Sequence, residues 1–306
     1  MKCLILAAGY ATRLYPLTEN FPKPLLDVAG KPILDWLIDD MSQTGLVDEY
    51  VVISNHKFAP IFEEWAAKKT SINHSHFLEQ RAQSDACVNY AESRQNCYEV
   101  KLSIFNSHFL EQRAQSDACV NYAESRQNCY EVKFSIVDDG TSSNETRLGA
   151  VKDIQFAIEQ LHLDDDLLVM AGDNLLDFSL AAFIRYAQQK NATCVMRYYE
   201  ADETKLRRSG VAEVAADDRI LSMEEKPAQP KSHWCMPAFY YYTRHDSRLI
   251  QQAIDAGCGT DAPGSFISWL CTQTNVYAWE MPGKRYDIGN LASYEEVKKV
   301  FNGVTK

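Results

Sequence analysis

The residues that most constrain the fold lie near the start of the chain. Lys2–Ala8 is a short apolar run (Lys-Cys-Leu-Ile-Leu-Ala-Ala), long enough for a strand buried on both faces. Gly9 breaks it, and a strand-to-helix turn at that point can aim backbone N–H groups at an anion. Thr12-Arg13-Leu14 follows, then Pro22-Lys23-Pro24-Leu25-Leu26. Arg13 supplies a planar fork of donors suited to phosphate oxygens, and Lys23 supplies a compact point charge. A strand, a glycine turn and two cations in this order predict an α/β sheet with an anion site at the end of its first strand. A tight turn with two surface cations is the alternative reading of the same residues.

Residues downstream extend the pattern. Residues 32–44 carry Ile33, Leu34, Leu37, Ile38 and Met41 on one helical face, 49–54 read as a second strand, and 57–69 as a helix with Ile61, Phe62, Trp65 and Ala66 inward. Asp166–Ala171 reads as a strand, with a helix near 179–190, a strand near 193–199 and a closing helix near 292–302. This alternation predicts a mostly parallel sheet flanked by helices. Residues 209–245 are richer in strands and turns, and read as an antiparallel addition to the same domain.

The opening segment resembles the signature of the sugar-phosphate nucleotidylyltransferases, with the glucose-1-phosphate thymidylyltransferases as the nearest type. Gly30-Lys31-Pro32-Ile33 continues the likeness, and Ala11 departs from it, standing where most members have glycine. The resemblance implies a Rossmann-like fold of the nucleotide-diphospho-sugar transferase type over a single domain, 1–306. It also implies the reaction, in which an NTP and a sugar-1-phosphate give a nucleotide-sugar and pyrophosphate. Leu6, Ala7, Ala8 and Gly9 would then line the nucleotide, with Arg13 and Lys23 as the catalytic cations. Asp173, in Ala171-Gly172-Asp173-Asn174, and Asp287, in Arg285-Tyr286-Asp287-Ile288-Gly289, would bind one Mg²⁺. Glu225 and Lys226, in Met223-Glu224-Glu225-Lys226-Pro227, would hold the sugar hydroxyls and the sugar phosphate.

The stretch Asp138–Ala150 occupies the place where relatives read the base, but lacks their Gly-Leu-Ala-Gln segment. Leu148 and Gly149 are the candidate contacts there, and the choice of base stays open. Tyr240-Tyr241-Tyr242 and Trp234 fit a buried strand at least as well as a sugar platform. Two rival functions remain: a cytidylyltransferase acting on phosphocholine or a phosphonate, and a catalytically silent relative.

Composition restricts the partners. A net charge of −11 argues against a nucleic-acid surface, which needs a basic stripe. Residues 1–31 nevertheless hold Lys2, Arg13, Lys23 and Lys31 against Glu19 and Asp27, a locally basic region suited to a triphosphate. Nine cysteines, with no Cys-x-x-Cys and Met1 leading directly into the first strand, are expected to be reduced thiols of a cytoplasmic protein. No apolar run is long enough for a membrane span.

The middle of the chain departs from the resemblance. Ser75–Lys101 and Ser107–Lys133 are identical over 27 residues, and Ser-Ile recurs at 71–72, 103–104 and 135–136. The simplest parse is an insertion of two tandem units over 73–136, each a helix (Leu78, Ala82, Ala86, Tyr90) followed by a strand (Tyr98–Ile104, Tyr130–Ile136). Two units fall short of a self-supporting solenoid. Three similar segments competing for one sheet position invite slippage or a swapped dimer. Excision of 73–136 is expected to leave a folded, active chain; a product that is insoluble or inactive while the parent is active would refute the parse.

Overall fold

The computed structural model describes residues 1–70 and 133–304. The chain divides into two compact units, one of Met1–Trp65 with Lys133–Lys306, the other of Ala66–Val132. Apart from Lys133–Ile136, the tandem repeat expected at 73–136 lies outside the described residues.

In the first unit, apolar runs form strands and amphipathic runs form helices. β1 (Lys2–Leu6) leads through two short strands, β2 (Asp27–Val28) and β3 (Lys31–Pro32), into α1 (Ile33–Ser42). β4 (Glu49–Ser54) precedes a helix at 59–70, named α2. Further along the chain come β5 (Lys133–Asp138), α3 (Ala150–Leu161), β6 (Leu167–Ala171), β7 (Asn174–Leu176), α4 (Ala181–Lys190) and β8 (Cys194–Tyr199). β9 (Gly210–Val214), β10 (Ile220–Glu225), β11 (Trp234–Met236) and β12 (Phe239–Tyr242) follow. The chain then runs through α5 (Gly264–Leu270), β13 (Tyr277–Glu280), β14 (Arg285–Asp287) and α6 (Leu291–Val300).

The strands lie in the order β10-β9-β11-β8-β12-β6-β1-β4-β5, with β13 beside β8. β6, β1, β4 and β5 are parallel, and β12 turns the sheet antiparallel. The antiparallel stretch expected over 209–245 is thus continuous with the parallel core. Leu4, Ile5, Val51, Val52 and Val169 are fully buried, as strands covered on both faces require. Leu4, Val51 and Val169 share one apolar cluster with Val151, Ile154 and Ala157 of α3. A second cluster joins Leu14, Val28 and Ile33 to Leu175, Ile288 and Val297, and so ties the first loop to the last helix. Tyr240 and Tyr242 are core residues stacked on each other, which resolves the aromatic run in favour of burial. Among the described residues no helix is long and apolar enough to cross a membrane.

The Ser-Ile segment at 135–136 pairs with β4, in the register Glu49↔Lys133 to Ser54↔Asp138. Buried Glu49 fixes that register: Lys133 Nζ lies 2.8 Å and Lys2 Nζ 3.5 Å from its carboxylate, and Ser135 Oγ donates to it at 2.6 Å. Burial works against the charge, but these partners outweigh it and hold the Glu49 carboxyl below its ordinary range. Lys2 therefore serves the opposite end of β1 from the anion site. Lys31 is also diverted, to Asp39 at 2.7 Å and over the Trp36 ring. Of the four N-terminal cations counted in the sequence, Arg13 and Lys23 remain for a ligand.

Beyond β5, Asp139 Oδ1 accepts from the backbone N–H and hydroxyl of Thr141, both at 2.7 Å. Asp153, in the first turn of α3, is buried nearby. Its Oδ1, like Asp139 Oδ2, has no hydrogen-bond partner among the described residues. Burial pushes the Asp153 carboxyl up to about 7, the charge of Asp139 adds to this, and Arg147 opposes it. An unfolded aspartate titrates near 4, so the folded chain holds this proton more tightly. The resulting stabilisation is complete below about pH 4 and is lost as the pH rises through about 7. Asp153→Asn, which mimics the protonated form, is expected to raise stability by about 2 kcal/mol at pH 8 and to change little at pH 5. Urea unfolding at the two pH values measures the difference.

Candidate active site

β1 ends at Leu6, and the next residues are pinned one by one. The Ala7 N–H donates to Ile53 O at 2.9 Å, and buried Asn55 donates its amide to Ala8 O at 2.9 Å. Tyr10 Oη reaches Thr141 O at 3.0 Å. Gly9 is exposed, and a Cβ there would meet nothing within 4 Å. The left-handed residue of the turn is Ala11, with φ +48° and ψ +39°. Glycine is the residue that adopts this conformation freely, so alanine here stores strain. It is held by its own carbonyl, which accepts from Leu14 N–H (2.9 Å) and Thr18 Oγ1 (2.8 Å). The turn presents Arg13 to solvent with no ion-pair partner among the described residues.

The two aspartates meet through a two-stranded ribbon. β14 pairs antiparallel with β7, and Asp287 stands opposite Asn174, the neighbour of Asp173. Asp173 follows β6 at the carboxyl end of the parallel strands, where ligands of open α/β sheets bind. Lys23 comes to the same point from the first loop, its Nζ 2.7 Å from Asp173 Oδ2 and its side chain 9% exposed. Gly172 permits that approach, since a Cβ there would lie 3.0 Å from Ile5 Cγ2 and 3.3 Å from Pro24 Cγ.

Two further residues complete the cluster. Asn174 Nδ2 donates to Asp173 Oδ1 at 2.7 Å, and Asn174 Oδ1 accepts from Arg285 Nη1 at 2.5 Å. Arg285 also lies 3.5 Å from Asp287 Oδ2 and 5.5 Å from the centre of the Tyr198 ring. Burial disfavours its charge, but Asp287, Tyr198 and Asp173 outweigh that and hold the guanidinium above its ordinary range. The sequence reading assigned no role to Asn174 or Arg285, although both stand beside the aspartates it singled out. Two carboxylates linked through Asn174 and Arg285, with Asp287 Oδ2 touched only distantly by Arg285, suit a hard divalent cation that takes its remaining ligands from water and phosphate. Among the described residues no group of three or more His, Cys, Asp or Glu side chains forms a complete metal cage.

Glu225 and Lys226 lie at the end of β10. Glycines clear the space around the carboxylate: a Cβ on Gly210 would come within 3.1 Å of Glu225 Oε1, and one on Gly264 would overlap it. Burial raises the Glu225 carboxyl, Lys226 and the Gly264 N–H oppose, and Asp261 adds to the rise. Lys226 itself is exposed with φ +50°, a strained conformation of the kind found at ligand sites. The 259–264 loop also docks on the start of α3. Asp261 O and Thr260 O accept from the N–H groups of Ala150 (3.2 Å) and Val151 (3.0 Å), and Arg147 pairs with Asp261 at 2.7 Å. Gly149, at φ +91°, caps α3, and a Cβ there would lie 2.6 Å from Thr260 O. Its requirement for glycine is therefore met by chain packing, with Leu148 half-buried beside it. Fully buried Tyr240 has its hydroxyl pushed well above the ordinary range, by burial first and by the charge of Glu225 in addition.

The nucleotidyl transferase family (NTP_transferase) matches the chain over residues 2–153 and 140–302. The chain belongs to that family. A putative UTP–glucose-1-phosphate uridylyltransferase of Bacillus subtilis is 24% identical over 96% of this chain and 93% of its own. The UTP–glucose-1-phosphate uridylyltransferase AglF of Haloferax volcanii is 24% identical over 82% of this chain and 76% of its own. A crystal structure of UDP-glucose pyrophosphorylase complexed with UDP-glucose superposes with a TM-score of 0.68, at 17% identity, over 98% of this chain and 97% of that one. The nucleotidyl transferase fold is thereby established for the chain.

Ala11 offers a direct check on the turn. Left-handed alanine costs about 1–2 kcal/mol, and glycine costs about 0.5–1 kcal/mol in unfolded-state entropy. Ala11→Gly is therefore expected to stabilise the nucleotidyl transferase by up to about 1 kcal/mol, read as a higher urea midpoint at constant slope. A lower midpoint would contradict the left-handed turn.

Proposed function

We propose that this nucleotidyl transferase joins an NTP to a sugar-1-phosphate to give a nucleotide-sugar and pyrophosphate. The observation that carries the reading is the convergence of Lys23, Asp173 and Asp287 at the carboxyl end of the parallel strands. A phosphate oxygen of the sugar-1-phosphate attacks the α-phosphorus. The bond from that phosphorus to the bridging oxygen breaks, and its electron pair leaves with pyrophosphate. The nucleophile is already an anion at neutral pH, so no general base is needed. The protein's task is to bring two anions together and to balance the charge that develops between them.

The backbone of Leu6, Ala7, Ala8 and Gly9 would line the nucleotide, with Leu148 and Gly149 beside its base or ribose. Lys23 would lie against the α-phosphate. Arg13, free in solvent, would take the departing β- and γ-phosphates. Glu225, set in its glycine-lined recess, would accept from sugar hydroxyls, and exposed Lys226 would hold the sugar phosphate. Asp173 and Asp287 would hold Mg²⁺, which supplies charge neutralisation on the phosphate oxygens when bound.

The relatives' names make UTP with glucose-1-phosphate the first pair to assay. Pyrophosphate release should be measured for dTTP, UTP, CTP and ATP against sugar-1-phosphates and phosphocholine. Release with a sugar phosphate supports the reading, release with phosphocholine alone replaces the acceptor, and no release with any pair refutes it. Arg13→Ala is expected to lower kcat/KM by about 10²–10³. Lys226→Ala is expected to raise KM for the sugar phosphate far more than KM for the NTP. Equal effects on the two KM values would remove Lys226 from the sugar-phosphate site.

A further inference from the structure

The charges around Asp173 are balanced before any ligand arrives. One of its oxygens accepts from Lys23 Nζ and the other from Asn174 Nδ2, both at 2.7 Å. Asn174 is fixed from behind by Arg285, which also faces Asp287. Two carboxylates thus sit among two cations. A divalent ion approaching Asp173 alone meets an ammonium group already on the carboxylate, and must displace it from a largely buried position.

We propose that Lys23 is a stand-in for the divalent cation: it occupies Asp173 in the nucleotide-free protein and releases it when a triphosphate draws the ammonium away. Metal and nucleotide then bind cooperatively, each weakly without the other. The inference rests on the nucleotidyl-transfer reading for the identity of the triphosphate, but the pairing of Lys23 with Asp173 does not depend on it.

The local chain is built for such an exchange. Pro22 and Pro24 flank Lys23, and their rings fix the backbone on either side. Pro24 is also packed against the position of Gly172. The backbone is held while the four-carbon stem and its rotatable ammonium stay free to re-aim. Arg285 has the opposite character. Its planar group is held by Asn174 Oδ1, Asp287 and the Tyr198 ring, so it keeps the carboxylate pair in place when Lys23 departs. A purely structural ion pair predicts a different outcome: loss of Lys23 would lower stability and leave metal affinity unchanged or reduced.

The test uses Mn²⁺ as the probe, with free Mn²⁺ measured by electron paramagnetic resonance and no nucleotide or sugar present. Lys23→Met is expected to bind Mn²⁺ at least about tenfold more tightly than the wild-type chain, and the double variant with Asp173→Asn should lose that gain. Lys23→Gln, checked for native circular dichroism, serves where the methionine variant does not fold. Equal or weaker Mn²⁺ binding by the folded Lys23 variant overturns the proposal, as does a gain that survives Asp173→Asn. NTP binding to the wild-type chain with Mg²⁺ is measured separately. Its absence for all four NTPs would sink the nucleotidyl-transfer reading, whereas a failure in the Mn²⁺ measurement sinks the stand-in role alone.

Discussion

The ion pair between Lys23 and Asp173 joins the first loop of the chain to the middle of the sheet, and much of the site depends on it. Lys23 is held by two prolines, Asp173 by the end of β6, and each side chain is the other's main electrostatic partner. The β7–β14 ribbon brings Asp287 and Arg285 to the same place from the far end of the sequence. Three chain segments, remote in sequence, therefore meet at one point of nearly balanced charge. A half-buried ion pair is weak evidence of net stabilisation, because desolvation offsets much of the attraction. Its significance here lies in position: removing either partner leaves a charge exposed to whichever ligand can reach it.

The parallel core was legible in the sequence because its strands are continuous apolar runs separated by amphipathic helices. Arg13, Lys23, Asp173 and Asp287 stand out in the sequence as candidates because the short motifs that carry them contain glycine or proline. The ranking of the N-terminal cations was not, since Lys2 and Lys31 are claimed by Glu49 and Asp39, and those pairings arise only once the sheet and α1 are assembled. The sequence marks Ala11 as a departure from glycine, but not as a residue forced into the left-handed region, because that depends on Thr18 and Leu14 closing the turn. Arg285 and Asn174 escaped notice for a similar reason: an arginine two residues before an aspartate carries no signal until β14 pairs with β7.

The half of the site around Glu225 follows a different physical logic. Around Asp173 opposite charges are set side by side. Around Glu225 the chain instead withdraws side chains, leaving a carboxylate raised by burial and contacted by a backbone N–H. The 259–264 loop connects this recess to the start of α3, beside Leu148 and Gly149.

The recess around Glu225 also limits how such a protein can diverge. A Cβ on Gly264 would overlap Glu225 Oε1 and one on Gly210 would press on the Met223 methyl, so a larger residue at either position first displaces the Glu225 or Met223 side chain. With Glu225 in its proposed role, a change of acceptor comes most readily from residues that project from the rim, such as exposed Lys226, or from movement of the 259–264 loop. Drift in acceptor preference should then come with loop replacement, while the glycines and the carboxylate persist through it.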